Sequence, residues 1–118
     1  MTQTNEQSAA QILRDAWELI SDRDHWTQFA MARRADGTRT AVEADDATAW
    51  CAAGAVHRVV PTPLELSAPL NDALQALGRA SRQLRGRAPT ALNDYYDHED
   101  VALMFKHAIE DVERWQLW

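Results

Sequence analysis

Apolar residues recur at helical spacing along most of the chain, and this regularity is weak between residues 26 and 42. Near the N-terminus they return after three, four and seven positions, which is the pattern of a helix with one buried face. The sequence predicts a first helix at about 5–21, with residues 4–7 as its capping box. Its apolar face comprises Ala9, Ile12, Leu13, Ala16, Trp17, Leu19 and Ile20.

A central helix is predicted from Asp45 or Asp46 to about Val59. An aspartate at the start can cap the free amides, and Pro61 disfavours helical geometry in the residue before it. Four residues then share one face of this helix, namely Trp50, Cys51, Gly54 and Ala55. A glycine inside a helix costs about 1 kcal/mol relative to alanine, so we expect Gly54 to admit another backbone at close range.

Residues 26–42 allow two interpretations. Asp36-Gly37 is typical of tight hairpin turns, which predicts one small β-hairpin near 27–42 that pairs residues 29–35 with 38–42. Such a hairpin would have to lie on the helices, because an isolated one is marginally stable in water. The alternative is a loop with Trp26 and Phe29 in the core.

The second half of the chain predicts two more long helices. Residues 62–65 form another capping-box pattern, which predicts a short turn at 63–67 and then a helix at about 69–85 that Gly86 ends. Residues 86–94 are predicted to be a loop, and Asp97 to cap a last helix. The inward positions of that helix are Val101, Met104, Phe105, Ala108, Ile109, Val112 and Trp115.

These elements predict a mainly α fold: a compact single-domain bundle of about four helices over residues 1–118. The chain has 118 residues, of which 46 % are hydrophobic and 25 % charged, with four Gly and four Pro. This composition is that of an ordinary globular domain, and the length is enough to bury a core without metals or disulfides.

Charge and cysteine content exclude several classes of protein. The net charge of −6 argues against a general nucleic-acid or anionic-membrane binder, because phosphate groups are bound by basic surfaces. A single cysteine excludes an internal disulfide and fits a reducing compartment. No apolar run reaches the roughly 18 residues that span a bilayer, and residues 1–7 lack the features of a signal peptide. We therefore expect a cytoplasmic protein with no nucleic-acid and no membrane partner.

Several short motifs are shared with a known family. They are Trp26 with Ala30, Gly37, Ala47, Trp50-Cys51, Gly54-Ala55, Asn93-Asp94, Asp100-Val101 and Ala108-Ile109. Across about 26–110 the chain thereby resembles a family of small bacterial and phage proteins catalogued as a domain of unknown function. Leu92 stands where that family tends to have Trp. The resemblance implies no reaction or cofactor, only that Cys51, Gly54, Asn93 and Asp94 matter to the fold or to a site.

Cys51 is the candidate nucleophile. Its partners would be His57 or His98 as base and Asn93 or Asp94 as orienting residue. Within the predicted helix, however, Cys51 lies about five residues from the positive end, among Trp and Ala neighbours that would raise its pKa. His57 follows six positions later, roughly on the opposite side of the helix. A small buried hydrophobe is the better interpretation of Cys51, and a structural role the better one for Asn93-Asp94.

A metal site has less support. His107 and Asp111 are four positions apart, but neither a His-x-x-x-His nor a Cys-x-x-Cys pattern occurs. The sequence also lacks a glycine-rich phosphate loop. We therefore predict no metal and no cofactor.

Charge segregation and terminal tryptophans point to binding surfaces. Arg79, Arg82, Arg85 and Arg87 lie within nine residues, whereas residues 94–113 hold seven acids. The arginines are either a partner surface or a solvated face balanced by the acidic last helix. Trp115 and Trp118 predict that the C-terminus folds back or buries against a second copy.

We expect the protein to be a non-enzymatic protein–protein interaction module that self-associates. Its expected role is that of a regulator or inhibitor from a mobile element. The alternative is a small enzyme or ligand-binding protein centred on Cys51 with Asn93 and Asp94.

Overall fold

A computed structural model describes residues 8–60 and 68–116, with the side chains of Trp115 and Gln116 excepted. The elements are helix α1 (Ala9–Ile20), a 3₁₀ turn (Arg23–His25), strands β1 (Ala32–Arg34) and β2 (Ala47–Trp50), and helices α2 (Ala52–Val59), α3 (Ala68–Arg85), α4 (Pro89–Tyr95) and α5 (His98–Gln116). The described ranges are mainly helical, as predicted, with five helices instead of about four and one small sheet. Within these ranges, no helix is both long and apolar enough to cross a membrane.

Helix α1 confirms the first predicted helix. It begins after Ser8, whose hydroxyl accepts a hydrogen bond from the Gln11 amide at 3.1 Å. Most of its apolar stripe is buried, with Leu13, Ala16 and Ile20 fully inaccessible to solvent, whereas Trp17 and Leu19 are partly buried. The predicted capping box at residues 4–7 lies outside the described residues, as does the predicted turn at 63–67.

The prediction of a central helix from Asp45 or Asp46 is wrong in its first part. Residues 47–50 form strand β2, and helix α2 begins at Ala52, with Cys51 as its N-cap. The run from Ala47 to Val56 is apolar apart from Thr48, so its periodicity cannot distinguish a buried strand from a buried helix. Tertiary pairing decides between them here.

The predicted pairing of residues 29–35 with 38–42 is also wrong, because the main partner of the first strand is β2 and not residues 38–42. Strand β1 pairs antiparallel with β2, with Ala32 opposite Trp50 and Arg33 opposite Ala49. The tight turn itself does form, because Gly37 has φ +89° and the Thr38 amide binds Asp36. Pairing across that turn is limited to a single bridge between Arg33 and Arg39.

Helix α4 replaces the predicted loop at 86–94. Pro89 stands at its start, where a missing N–H costs nothing, and Leu92 is fully buried. Helix α5 confirms the last predicted helix, with the Asp97 carboxylate capping the Asp100 amide at 3.2 Å. Its inward face lies in the core against α3 and α1: Val101, Met104, Phe105, Ala108 and Val112 are buried.

Candidate functional site

Asn93 is the centre of a buried polar network that joins α4, the start of α2 and the segment after the 3₁₀ turn. Its side chain has no solvent exposure. Its Oδ1 atom accepts from Trp26 Nε1 at 2.7 Å and from the Ala52 amide at 3.0 Å. Its Nδ2 atom donates to the Thr27 carbonyl at 3.0 Å and to Asp94 Oδ1 at 3.1 Å. These four bonds use the full hydrogen-bonding capacity of the amide.

The segment that carries Gln28 and Phe29 is fastened to the end of α4. Gln28 Nε2 lies within hydrogen-bond distance of the carbonyls of Asn93, Asp94 and Tyr96, at 3.1, 3.2 and 2.9 Å. Carbonyls in the last turn of a helix have no partner within the helix, so this amide serves as a C-terminal cap. The Phe29 amide donates to Asp94 Oδ1 at 2.8 Å.

Phe29 has an unusual backbone and an exposed ring. Its φ is +65°, and within the described ranges it is the single non-glycine residue with positive φ. The ring is 50 % exposed and meets the ring of Tyr95 edge-on, with centroids 5.4 Å apart. Tyr95 is 69 % exposed and Met31 is 42 % exposed. We call Phe29, Met31 and Tyr95 the aromatic patch.

Cys51 lies at the N-cap of α2 and not inside a helix as predicted. Its Sγ atom accepts a hydrogen bond from the Gly54 amide at 3.3 Å and lies 3.7 Å from Met31 Sδ. Although a helix N-terminus favours a thiolate, burial raises the pKa of the Cys51 thiol, and the charge of Asp94 acts in the same direction. This arrangement suits a structural thiol better than a nucleophile.

The backbone approach predicted at Gly54 is confirmed. A Cβ atom built on Gly54 would lie 2.1 Å from the Met31 carbonyl oxygen. The same oxygen accepts a hydrogen bond from the Cys51 amide at 3.2 Å. The backbone of Met31, immediately before strand β1, therefore sits directly on the first turn of α2, where only glycine leaves room for it.

The histidines are used elsewhere. His98 Nε2 lies 2.8 Å from the Ile20 carbonyl, and its buried ring packs between those of Trp17 and Trp26. His57 lies in the last turn of α2. In the described part of the chain, the hydrogen-bond contacts of the Cys51 thiol are with Gly54 and Met31 and include no histidine.

The arginine cluster is partly neutralised by α5. Arg79 pairs with Asp111 at 2.7 Å, and Arg85 pairs with Asp100 at 2.7 Å, which raises the pKa of Arg85. Arg82 lies along its own helix beside Gly78. The remaining residues of the predicted interaction surface are Arg87, which is exposed, and Trp115 and Trp118, whose side chains lie outside the described part.

Sequence reasoning singled out Asn93, Asp94 and Cys51, and the structure brings them together around Ala52. It did not identify Trp26, Gln28 or Phe29 as members of the same network. Their hydrogen bonds to α4 and to the residue after it, from two side chains and the Phe29 amide, span 65 to 68 positions, a separation at which the sequence carries no local signal. In the described ranges, no group of three or more His, Cys, Asp or Glu residues is placed to hold a metal ion.

Comparison with known proteins identifies one family, described as "Family of unknown function (DUF6197)", which matches residues 4–111. The chain belongs to this family. No curated protein and no solved structure matches the chain.

Proposed function

We propose that this member of the DUF6197 family is a non-enzymatic interaction protein that binds a protein partner through the aromatic patch. The observation that carries the proposal is the conformation of Phe29. A left-handed backbone at a non-glycine residue costs on the order of 1–3 kcal/mol and persists only where its surroundings impose it. Here Asp94 accepts a hydrogen bond from the Phe29 amide and the Arg33 guanidinium donates to the Gln28 carbonyl just before it, and the result is a half-exposed aromatic ring on the surface.

The chemistry of the aromatic patch suits a protein interface. Tyr, Phe and Met are enriched in the centres of interfaces, and rings that are already fixed lose little conformational entropy on binding. The edge-on contact fixes Phe29 against Tyr95, and Met31, two positions after Phe29, is a further exposed apolar side chain of the same segment. The expected partner presents an apolar pocket that accepts one or both rings.

An enzyme or ligand-binding protein centred on Cys51 is the alternative, and the position of that residue at a helix N-terminus favours it. Two observations support an interaction protein over an enzyme or ligand-binding protein. The Asn93 amide makes four hydrogen bonds to the protein itself, and the thiol of Cys51 is 4 % exposed with a raised pKa.

The proposal is tested by comparing three immobilised baits in an extract of the source cell: the wild type, Phe29→Asn/Tyr95→Ser, and Leu103→Ser. Asn tolerates the left-handed conformation, so the double variant should fold. Leu103 is an apolar residue of α5 with 43 % exposure and serves as the matched control. We expect a protein that the wild type and Leu103→Ser retain and the double variant loses. Equal retention by all three baits would contradict the proposal.

The proposal has three further parts. We propose that the protein self-associates, that it is cytoplasmic, and that it acts as a regulator or inhibitor from a mobile element. The self-association rests on Trp115 and Trp118, two large apolar residues within four positions of each other. Light scattering that gives the mass of one chain at every concentration would remove this part and leave the aromatic patch unaffected.

A further inference from the structure

Met31 and Met104 are the two methionines of the described ranges, and they differ in exposure. Met31 is 42 % exposed, whereas Met104 is fully buried in the core. A peroxide that reaches a thioether sulfur converts it to a sulfoxide, which replaces a flexible apolar side chain with a polar, chiral one. Of the two, Met31 is therefore the residue that oxidants in solution can modify.

The fold fixes the point from which the Met31 side chain leaves the backbone. The Met31 carbonyl oxygen accepts a hydrogen bond from the Cys51 amide at 3.2 Å and lies against Gly54 in the first turn of α2. The sulfur of Met31 is also held, because the Cys51 thiol donates a hydrogen bond to it, with 3.7 Å between Sγ and Sδ. The backbone and the side chain of Met31 are thus both attached to the N-cap residue of α2.

The Cys51 thiol distinguishes the two faces of the Met31 sulfur. A thioether sulfur has two lone pairs, and oxidation of one or the other gives opposite sulfoxide epimers. One lone pair accepts the hydrogen bond from the thiol. Cys51 is only 4 % exposed, so that side of the sulfur is closed to solvent. The other lone pair is the one that an oxidant reaches from solution.

Cys51 does not compete with Met31 for a peroxide. The thiolate is the reactive form of cysteine, and burial raises the pKa of the Cys51 thiol. A protonated thiol that is 4 % exposed reacts slowly with oxidants. The exposed thioether of Met31 is therefore the sulfur of this pair that reacts first in the native protein.

We propose that Met31 is a reversible oxidation site, at which a peroxide forms one sulfoxide epimer and thereby weakens binding of the protein partner. The effect on binding rests on the proposed function, in which Met31 belongs to the aromatic patch. In the reaction, the free lone pair of Sδ attacks one oxygen of hydrogen peroxide, an S–O bond forms, the O–O bond breaks, and water leaves. The sulfur loses two electrons, which the peroxide takes up.

The sulfoxide changes what the aromatic patch can bind. Its oxygen is a hydrogen-bond acceptor, and burying such a group in an apolar pocket without a donor costs free energy. The change is reversible, because sulfoxide reductases act on one epimer each. The reduction consumes two thiols, which become a disulfide as the sulfoxide oxygen leaves as water. An apolar partner is thus released under peroxide and bound again after reduction.

The chemical part of the inference is tested on the full-length protein with hydrogen peroxide, followed by peptide mapping with mass spectrometry. We expect Met31 to gain oxygen at least about tenfold faster than Met104. Of the two reductase classes, one should reverse nearly all of the Met31 oxidation, whereas after oxidation in urea each class should reverse about half of it. Equal rates at the two methionines, or an equal mixture of epimers from the native protein, would overturn the inference.

A variant pair tests the role of the thiol. Cys51→Ala removes the donor and lets the Met31 sulfur turn, so the folded variant should give both epimers. Cys51→Ser keeps a hydroxyl donor and, as the matched control, should give the single epimer of the wild type. Slow oxidation of the buried Met104 shows in each case that the variant is folded. A single epimer from folded Cys51→Ala, or a mixture from folded Cys51→Ser, would overturn the inference.

The effect on binding is tested with three baits in an extract of the source cell: the wild type, the oxidised wild type, and the oxidised wild type after treatment with the matching reductase. We expect retention of the partner to fall at least about tenfold on oxidation and to return on reduction. Equal retention by the oxidised bait would overturn the effect on binding. If the untreated bait retains no partner, the proposed function fails and the effect on binding fails with it, whereas the oxidation of Met31 is decided on the isolated protein.

Discussion

The side-chain oxygen of Asn93 accepts a hydrogen bond from Trp26 Nε1 at 2.7 Å, although the two residues are 67 positions apart. The same oxygen holds the Ala52 amide at the start of α2. One buried amide thus joins three segments that are distant in sequence. The loop that displays Phe29 depends on this junction, because Asp94, the neighbour of Asn93, binds the Phe29 amide.

Replacing Asn93 should therefore cost far more stability than a typical surface change. In Asn93→Ala the Trp26 indole and the Ala52 amide lose their acceptor inside the protein, and we expect the free energy of unfolding to fall by about 2–4 kcal/mol. Asn93→Asp restores the acceptor but places a second carboxylate against Asp94, so it should be less stable at pH 7 than in mild acid. Urea denaturation measures both. A loss below about 1 kcal/mol in Asn93→Ala would contradict the account.

Two glycines in helices should respond to alanine in opposite directions. At Gly54 the new Cβ meets the Met31 carbonyl oxygen at 2.1 Å, and backbone cannot move aside cheaply. We expect Gly54→Ala to lower the free energy of unfolding by about 2 kcal/mol or more. At Gly78 the nearest atom is Arg82 Nη1 at 3.0 Å, the end of a flexible side chain. Gly78→Ala should raise stability by about 0.5–1 kcal/mol. Thermal melts of Gly54→Ala and Gly78→Ala measure both changes. Equal shifts of the melting temperature in the two variants would be inconsistent with the close approach at Gly54.

Cys51 should behave as a structural cap. Loss of the hydrogen bond to the Gly54 amide and of the buried sulfur should make Cys51→Ala about 1–2 kcal/mol less stable. Cys51→Ser should lose less, because a serine hydroxyl is a preferred N-cap. A thiol reagent near neutral pH should label the wild type only after unfolding, since burial raises the pKa of the thiol. Rapid labelling of the native protein, with loss of function in Cys51→Ser, would support the alternative of an enzyme.

Asp97 should give the protein a specific sensitivity to acid. A hydrogen bond from the Asp100 amide lowers the pKa of Asp97 below its ordinary value of 3.8. The stability that the charged cap provides is therefore present above that ordinary value and is lost as the pH falls through the lower folded value. Asn also caps helices but does not titrate in this range, so Asp97→Asn should lose less stability than the wild type between pH 5 and pH 2, these limits being approximate. Stability is measured against pH for the wild type and for Asp97→Asn, and the difference between the two should shrink towards the acid end. A difference that stays constant over the whole pH range would refute the role of Asp97.

The sequence was sufficient to predict the elements whose stability is local. Helices α1 and α5 carry long periodic stripes, and the predicted cap of α5, Asp97, lies three residues from the amide that it binds. Strand β2 was missed because its four residues are too few to show an alternating pattern, and the pairing that makes them a strand comes from Ala32, Arg33 and Arg34. Helix α4 was missed because its seven residues are too few to show a period.

The candidate site was predictable only in part, for the same reason. Asn93, Asp94 and Cys51 stood out as residue types with chemistry and as members of a resembling motif. The partners that define what these residues do are tertiary. Nothing local to Phe29 indicates a positive φ, because its amide is held by Asp94, which is 65 positions away, and the preceding carbonyl is held by Arg33.

The central claim is that the aromatic patch contacts a protein partner, and photocrosslinking tests it most directly. Benzoylphenylalanine would replace Tyr95, which is 69 % exposed, and Leu103, which is 43 % exposed, in two separate variants. Both would be irradiated in an extract of the source cell. The account predicts a discrete crosslinked partner from position 95 that position 103 does not give, and that Phe29→Asn in the same chain abolishes. A crosslink from position 103 alone, or one from position 95 that survives Phe29→Asn unchanged, would contradict it.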